Sequence, residues 1–268
     1  MKAPHDPLAS VSPPEVQLPN APLVRVLAQV RFPATLSVAD RKFVAPFQEP
    51  LRTRYPVIRQ ERIHELRIGP DGIQTTAAAD LGRVAWRFSD TEGKWQVTLA
   101  DDFVSIETTD YASRDDFFAR LGDVVEALGA WIEPPFIERV GVRYVNRIDG
   151  PMVDELDVLL IPEVRGILGT SAAAHVRHSI VETLFEHDDY RILSRWGQVP
   201  PGVTVDPSAI EPIDRPSWLL DLDLHTASRM PFSVDGVTAK AESFAERAYT
   251  LFRWAVTDEF LRRHGGEI

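Results

Sequence analysis

The sequence predicts an α+β fold: two topologically similar β-α-β(n)-α halves, with curved antiparallel sheet packed against long amphipathic helices. Three observations predict it. Short runs of alternating apolar and polar residues, separated by Gly, Pro and Asp turn signals, mark strands along the chain. Stretches near 113–132 and 235–263 carry apolar residues at helical spacing. The order of these patterns is the same in each half: strand, helix, antiparallel strands, helix.

The first 20 residues contain five prolines and no apolar signal-like run, and read as a mostly disordered lead-in. The first half spans 21–135 and opens on a strand at 23–32. Val24, Val26, Ala28, Val30 and Phe32 fall on one face of it. Pro33 ends this strand, and Ser37 or Asp40 can cap a helix running to about Tyr55, interrupted by Pro46 and Pro50. From 62 to 108 an antiparallel meander is expected, with turns at 69–72, 80–82, 90–93 and 101–102. Ser113, with Asp116 three positions on, reads as the cap of a helix carrying Phe117, Leu121, Val124, Leu128 and Trp131 on its apolar stripe. Pro134 and Pro135 end it.

The second half, 136–268, begins with a long strand at 136–148 and a weaker helix near 153–161. Strands at about 173–185 and 190–196 form a hairpin around Asp188 and Asp189. Residues 199–216, with five prolines, read as a long loop that can act as a flap. A strand follows over 217–226. Asp235 or Thr238 can cap the last helix, which runs to about Arg263 with Phe244, Ala248, Leu251, Phe252, Ala255 and Val256 on its core face. The halves form one compact unit on this reading.

Composition narrows the chemistry. The chain has 268 residues, 44% hydrophobic and 26% charged, which suits a folded soluble protein, with the cytoplasm as the default compartment. It has no cysteine, so disulfides, thiolate metal sites and cysteine nucleophiles are excluded. Its net charge of −11 opposes non-specific contact with nucleic acid or an anionic membrane. The Walker, dinucleotide, serine-elbow and zincin motifs are absent. No cofactor is implied, and no catalytic residue is assigned.

The most distinctive segment runs from Glu138 to Ile148. As a strand it places Arg139, Gly141, Arg143 and Arg147 on one face, with Val140, Val142, Tyr144, Asn146 and Ile148 on the other. Guanidiniums in a row can grip a phosphate or carboxylate, with Tyr144 and Asn146 as neighbouring polar groups. They can equally pair with acids on adjacent strands, and Asp221 and Asp223 are the obvious partners. Asp221, Asp223 and His225, at alternate positions of the 217–226 strand, also form a candidate metal-ligand set; the bland alternative is the polar face of a half-buried strand. His175 and His178 point to opposite faces of a strand, and His187-Asp188-Asp189 sits where a turn needs Asp anyway. Trp254 lies off the core stripe of the last helix, so it marks an interface or tucks against a loop.

Several segments together resemble a family. They are Ala21-Pro22-Leu23-Val24-Arg25-Val26, Val30-Arg31-Phe32, the Arg139-to-Ile148 motif, Leu220-Asp221-Leu222-Asp223, and a last helix with Phe252 and Thr257-Asp258. The chain from Ala21 onward resembles a sporadically distributed, uncharacterised family of bacterial and archaeal proteins. That family usually carries a His in its final helix, and none stands near Tyr249 to Phe252 here. The resemblance implies no activity or site residue; its patchy distribution is similar to that of defence and toxin–antitoxin genes. The order of elements is also similar to the unit found twice in TATA-box-binding proteins, an analogy of architecture alone.

The resulting expectation is a non-enzymatic binding or assembly protein that engages a protein partner, a second copy of itself or a small anionic ligand, and no membrane. Two alternatives stay open. One is a metal-dependent hydrolase or nuclease using Asp221, Asp223 and His225. The other is nucleic-acid binding through the Arg139/Arg143/Arg147 strand.

Overall fold

The computed structural model describes residues 6–63, 66–69, 72–75 and 83–268. The turns expected at 69–72 and 80–82 fall wholly or partly outside them. The fold is α+β, with a large antiparallel sheet and several helices. In chain order the elements begin with β1 (Leu23–Arg31), α1 (Arg41–Gln48), β2 (Val57–Ile63), β3 (Leu66–Gly69) and β4 (Gly72–Thr75). Next come β5 (Arg83–Ser89), β6 (Trp95–Ala100), β7 (Phe103–Thr108), α2 (Arg114–Trp131), β8 (Phe136–Ile137) and β9 (Arg139–Asp149). The chain then forms α3 (Leu156–Leu159), α4 (Pro162–Arg165), β10 (Ser179–Glu186), β11 (Tyr190–Val199) and β12 (Ser217–Thr226). It ends with β13 (Met230–Pro231), α5 (Val234–Ala255) and α6 (Asp258–Arg263). No helix among the described residues is long and apolar enough to cross a membrane.

The chain divides into two compact units, each built from separate stretches of sequence. One comprises Ala28–Val140 and Ser228–Ala239. Its strands run in the order β1-β7-β6-β5-β2, with β2, β5, β6 and β7 joined as an antiparallel meander. Ala28 and Val30 of β1, and Phe32 just past its end, are buried, as the alternation requires. Asp40 caps α1 by accepting from the Lys42 backbone N–H at 2.8 Å. This helix stops at Gln48, well short of Tyr55, although Pro46 is accommodated inside it. Ser113 caps α2 through the Asp116 N–H, and Phe117, Leu121, Val124 and Leu128 are buried. Phe117 packs against Trp95 of β6 with ring centroids 5.9 Å apart. Trp131, expected on the buried stripe, is 47% exposed because it closes the helix's last turn.

The other unit comprises Met1–Leu27, Gly141–Ala227 and Lys240–Ile268. Its strand order is β10-β11-β12-β9, followed by β1. The hairpin expected around Asp188 and Asp189 is β10–β11, but its first strand begins only at Ser179; 173–175 form a single 3₁₀ turn instead. The helix expected at 153–161 is likewise shorter, a 3₁₀ turn leading into α3. Phe244, Ala248, Leu251, Phe252 and Ala255 of α5 are buried as their spacing requires. The single last helix of the sequence reading is two helices. Val256 leaves the helix to bridge Leu160, and Thr257 then caps α6 through the Phe260 N–H at 3.2 Å. Residues ahead of β1 lie against α5: Arg247 donates to the carbonyls of Pro7 and Ser10, and the Tyr249 hydroxyl accepts from the Val16 N–H.

Candidate functional site

The antiparallel registers of β9, β12, β11 and β10 decide where the charged residues meet. Asp223 stands opposite Arg143, which puts Asp221 diagonally across from that arginine on the same face. Arg195 stands opposite Asp221, and Glu182 opposite Arg195. The result is a row of alternating charge, Arg143–Asp221–Arg195–Glu182, crossing the four strands. Arg143 donates from Nε and Nη2 to the two Asp221 oxygens at 2.7 and 2.8 Å. The Arg195 guanidinium is 3.7 Å from Asp221, and its Nε donates to Glu182 at 2.6 Å. Asp221 is only 2% exposed, where a carboxylate without hydrogen bonds is costly, and a bidentate guanidinium supplies them.

A third carboxylate comes from the Pro-rich loop. Arg143 Nη1 donates to Asp206 at 2.8 Å. Residues 200–216 fold over the arginine face, where Ile210 joins Val145, Val199 and Leu219 in a small buried apolar cluster. Burial drives the Asp206 carboxyl upward, but the Ser208 hydroxyl and the Arg143 guanidinium outweigh it and hold the group below its usual range. Burial disfavours the Arg143 cation as well. Asp221 and then Asp206 overcome this, and the guanidinium is held more firmly protonated than usual.

Arg147 and Arg139 of the motif have contacts of their own. Arg147 Nη2 donates to the carbonyl of Glu211 in the same loop, and its Nε is buried without a hydrogen-bond partner among the described residues. Burial pulls its guanidinium below the ordinary value, with Asp149 opposing and Arg215 adding to the effect. Arg139 belongs to the other unit, where it donates to the Gln29 side chain at 3.2 Å. Tyr144 is half-buried and Asn146 buried; their strand positions put both on the face away from Arg143, and Asn146 Nδ2 donates to the Leu220 carbonyl. His225 stands opposite Gly141, and Asp223 opposite Arg143. Among the described residues, no group of three or more His, Asp and Glu side chains is placed to hold a metal ion. His187 stacks on Tyr190 at the hairpin tip and lies 3.5 Å from Asp189, which in turn accepts from Lys240 at 2.7 Å.

On the opposite face, Trp254 is half-buried and lines a narrow apolar cleft with Val164, Phe185, Trp196, Leu220 and Leu251. That cleft reaches Phe185 on β10. Among the described residues β10 pairs with β11 on one side and with nothing on the other. Val181 is 42% and Leu184 55% exposed along it. A free strand edge with exposed apolar side chains is a template for another strand.

Sequence reasoning missed Asp206, Arg195, Glu182 and the β10 edge. For the edge a signal exists: Ile180-Val181 and Leu184-Phe185 are adjacent apolar pairs, which put apolar groups on both faces of one strand. No known protein family, curated protein or solved structure matches the chain.

Proposed function

We propose that this chain is a non-enzymatic binding and assembly protein that takes a strand of a protein partner onto the outer edge of β10. The observation that carries this reading is the edge itself, unpartnered among the described residues, with Val181 and Leu184 exposed on it. Strand addition draws affinity from main-chain hydrogen bonds and specificity from side-chain pockets beside the edge. Phe185, Trp196 and Trp254 supply an apolar surface beside the edge on one face. The arginine face favours a small anion less. Its central guanidinium already holds two carboxylates of the chain, and an incoming anion has to displace Asp206 and the loop that bears it. The test is a photoreactive side chain placed at Leu184 in the native host. A defined protein adduct, lost when Val181→Lys is added, is expected; no adduct at this position refutes the reading.

A further inference from the structure

We infer that the strand received by β10 is β10 of a second copy of this chain, paired antiparallel about a two-fold axis through Thr183. This rests on the strand-addition reading above and names its partner.

Geometry leaves few registers. A two-fold axis perpendicular to a sheet keeps each side chain on its own face, so the axis must pass through a residue opposite its own copy. Three positions lie at the middle of β10: Glu182, Thr183 and Leu184. An axis at Glu182 sets that carboxylate against itself. An axis at Leu184 sets Glu182 against Glu186 twice. Like charges directly opposite are destabilising. The axis at Thr183 avoids both: Thr183 meets Thr183, Val181 meets Phe185, and Glu182 meets Leu184. Of the three, it is the one register that brings exposed Val181 onto a large apolar side chain, beside the cleft that Phe185 lines.

Charge agrees with this choice in two ways. Acidic residues on an edge normally repel a second edge. Here Arg195 already holds Glu182 at 2.6 Å and Arg191 holds Glu186 at 3.0 Å, both from within the hairpin. The flanks are also complementary. Exposed Arg177 precedes the strand and exposed Asp188 follows it, so antiparallel pairing brings the basic end of one copy toward the acidic end of the other, twice.

The chain's lack of cysteine makes the test direct. Single variants Glu182→Cys, Thr183→Cys and Leu184→Cys are compared with Leu36→Cys, whose site is 82% exposed and remote in sequence from β10. Under a mild oxidant, Thr183→Cys should form an inter-chain disulfide at least tenfold faster than the other three, because only residue 183 faces itself at bridging distance. A mixture of Glu182→Cys and Leu184→Cys should cross-link faster than either alone. Sedimentation of the unmodified chain should show a monomer–dimer equilibrium that Val181→Lys shifts to monomer without changing the circular dichroism. Equal cross-linking rates at all four sites, or fastest linkage at 182 or 184, overturns the inference. A strictly monomeric chain whose Leu184 photoadduct is a different protein overturns the second copy and leaves strand addition standing. A monomer that gives no adduct overturns both.

Discussion

Replacing Arg143 by methionine removes three charge-assisted hydrogen bonds at once, two to Asp221 and one to Asp206, while keeping much of the side-chain volume. Asp206 is near solvent and can rehydrate. Asp221, at 2% exposure, cannot, and its remaining cationic neighbour is Arg195 at 3.7 Å. Breaking one side of a buried ion pair costs about 3–5 kcal/mol. The residual attraction of Arg195 puts this case at the low end, about 3 kcal/mol. The assay is urea unfolding followed by tryptophan fluorescence. The midpoint should fall with the slope unchanged, since the folded surface is the same. Adding Asp221→Leu removes the stranded carboxylate, and the double variant should regain most of the loss, because buried ion pairs and apolar replacements are close in energy. An Arg143→Met midpoint within error of the parent refutes the argument. So does a double variant that loses the sum of its single changes.

Asp206→Asn keeps the loop's shape but weakens its anchor, so about 1 kcal/mol of stability and faster proteolysis within 200–216 are expected. The pH dependence has a definite sign. The folded Asp206 value lies below its ordinary 3.8, so its contribution is present at neutral pH and is lost as pH falls through that depressed value. Proteolysis of the parent loop should therefore rise only in strong acid, and Asp206→Asn should lack that step. Gly197→Ala should disrupt the β10–β11 hairpin. Gly197 has φ +146°, and an added Cβ would lie 1.9 Å from the Ser179 carbonyl oxygen, so a loss of at least about 2 kcal/mol is expected by urea unfolding.

What was legible in the sequence is what period and capping encode. β12 matches its expected bounds because Leu220, Leu222 and Leu224 alternate strictly with Asp221, Asp223 and His225. The start of α2 follows from Ser113 and Asp116. The pairing of Arg143 with an acid of the neighbouring strand was one of the open readings; Asp223 is directly opposite in register, but the guanidinium reaches diagonally to Asp221, a choice of side-chain direction that no sequence pattern carries. The break between α5 and α6 was hidden because Phe252, Val256 and Phe260 keep helical spacing across it. The cue that outweighs the spacing is Thr257 followed by Asp258 and Glu259, a cap with acids in the first turn. Asp206 was illegible for a different reason. It lies 63 residues from Arg143 in a loop with no periodicity, and only the tertiary fold brings the two together. The β10 edge required knowing the strand order, which a local pattern does not carry.

The central claim is that the outer edge of β10 is where this chain meets a protein. The most direct measurement compares photo-cross-linking from Leu184 with that from Leu36 in the intact chain at native abundance. Both side chains are exposed, and only Leu184 of the two lies on the β10 edge. A single protein adduct from Leu184, absent from Leu36 and abolished by Val181→Lys, is the result the account predicts. Adducts of equal yield from both positions, or none from Leu184, would contradict it.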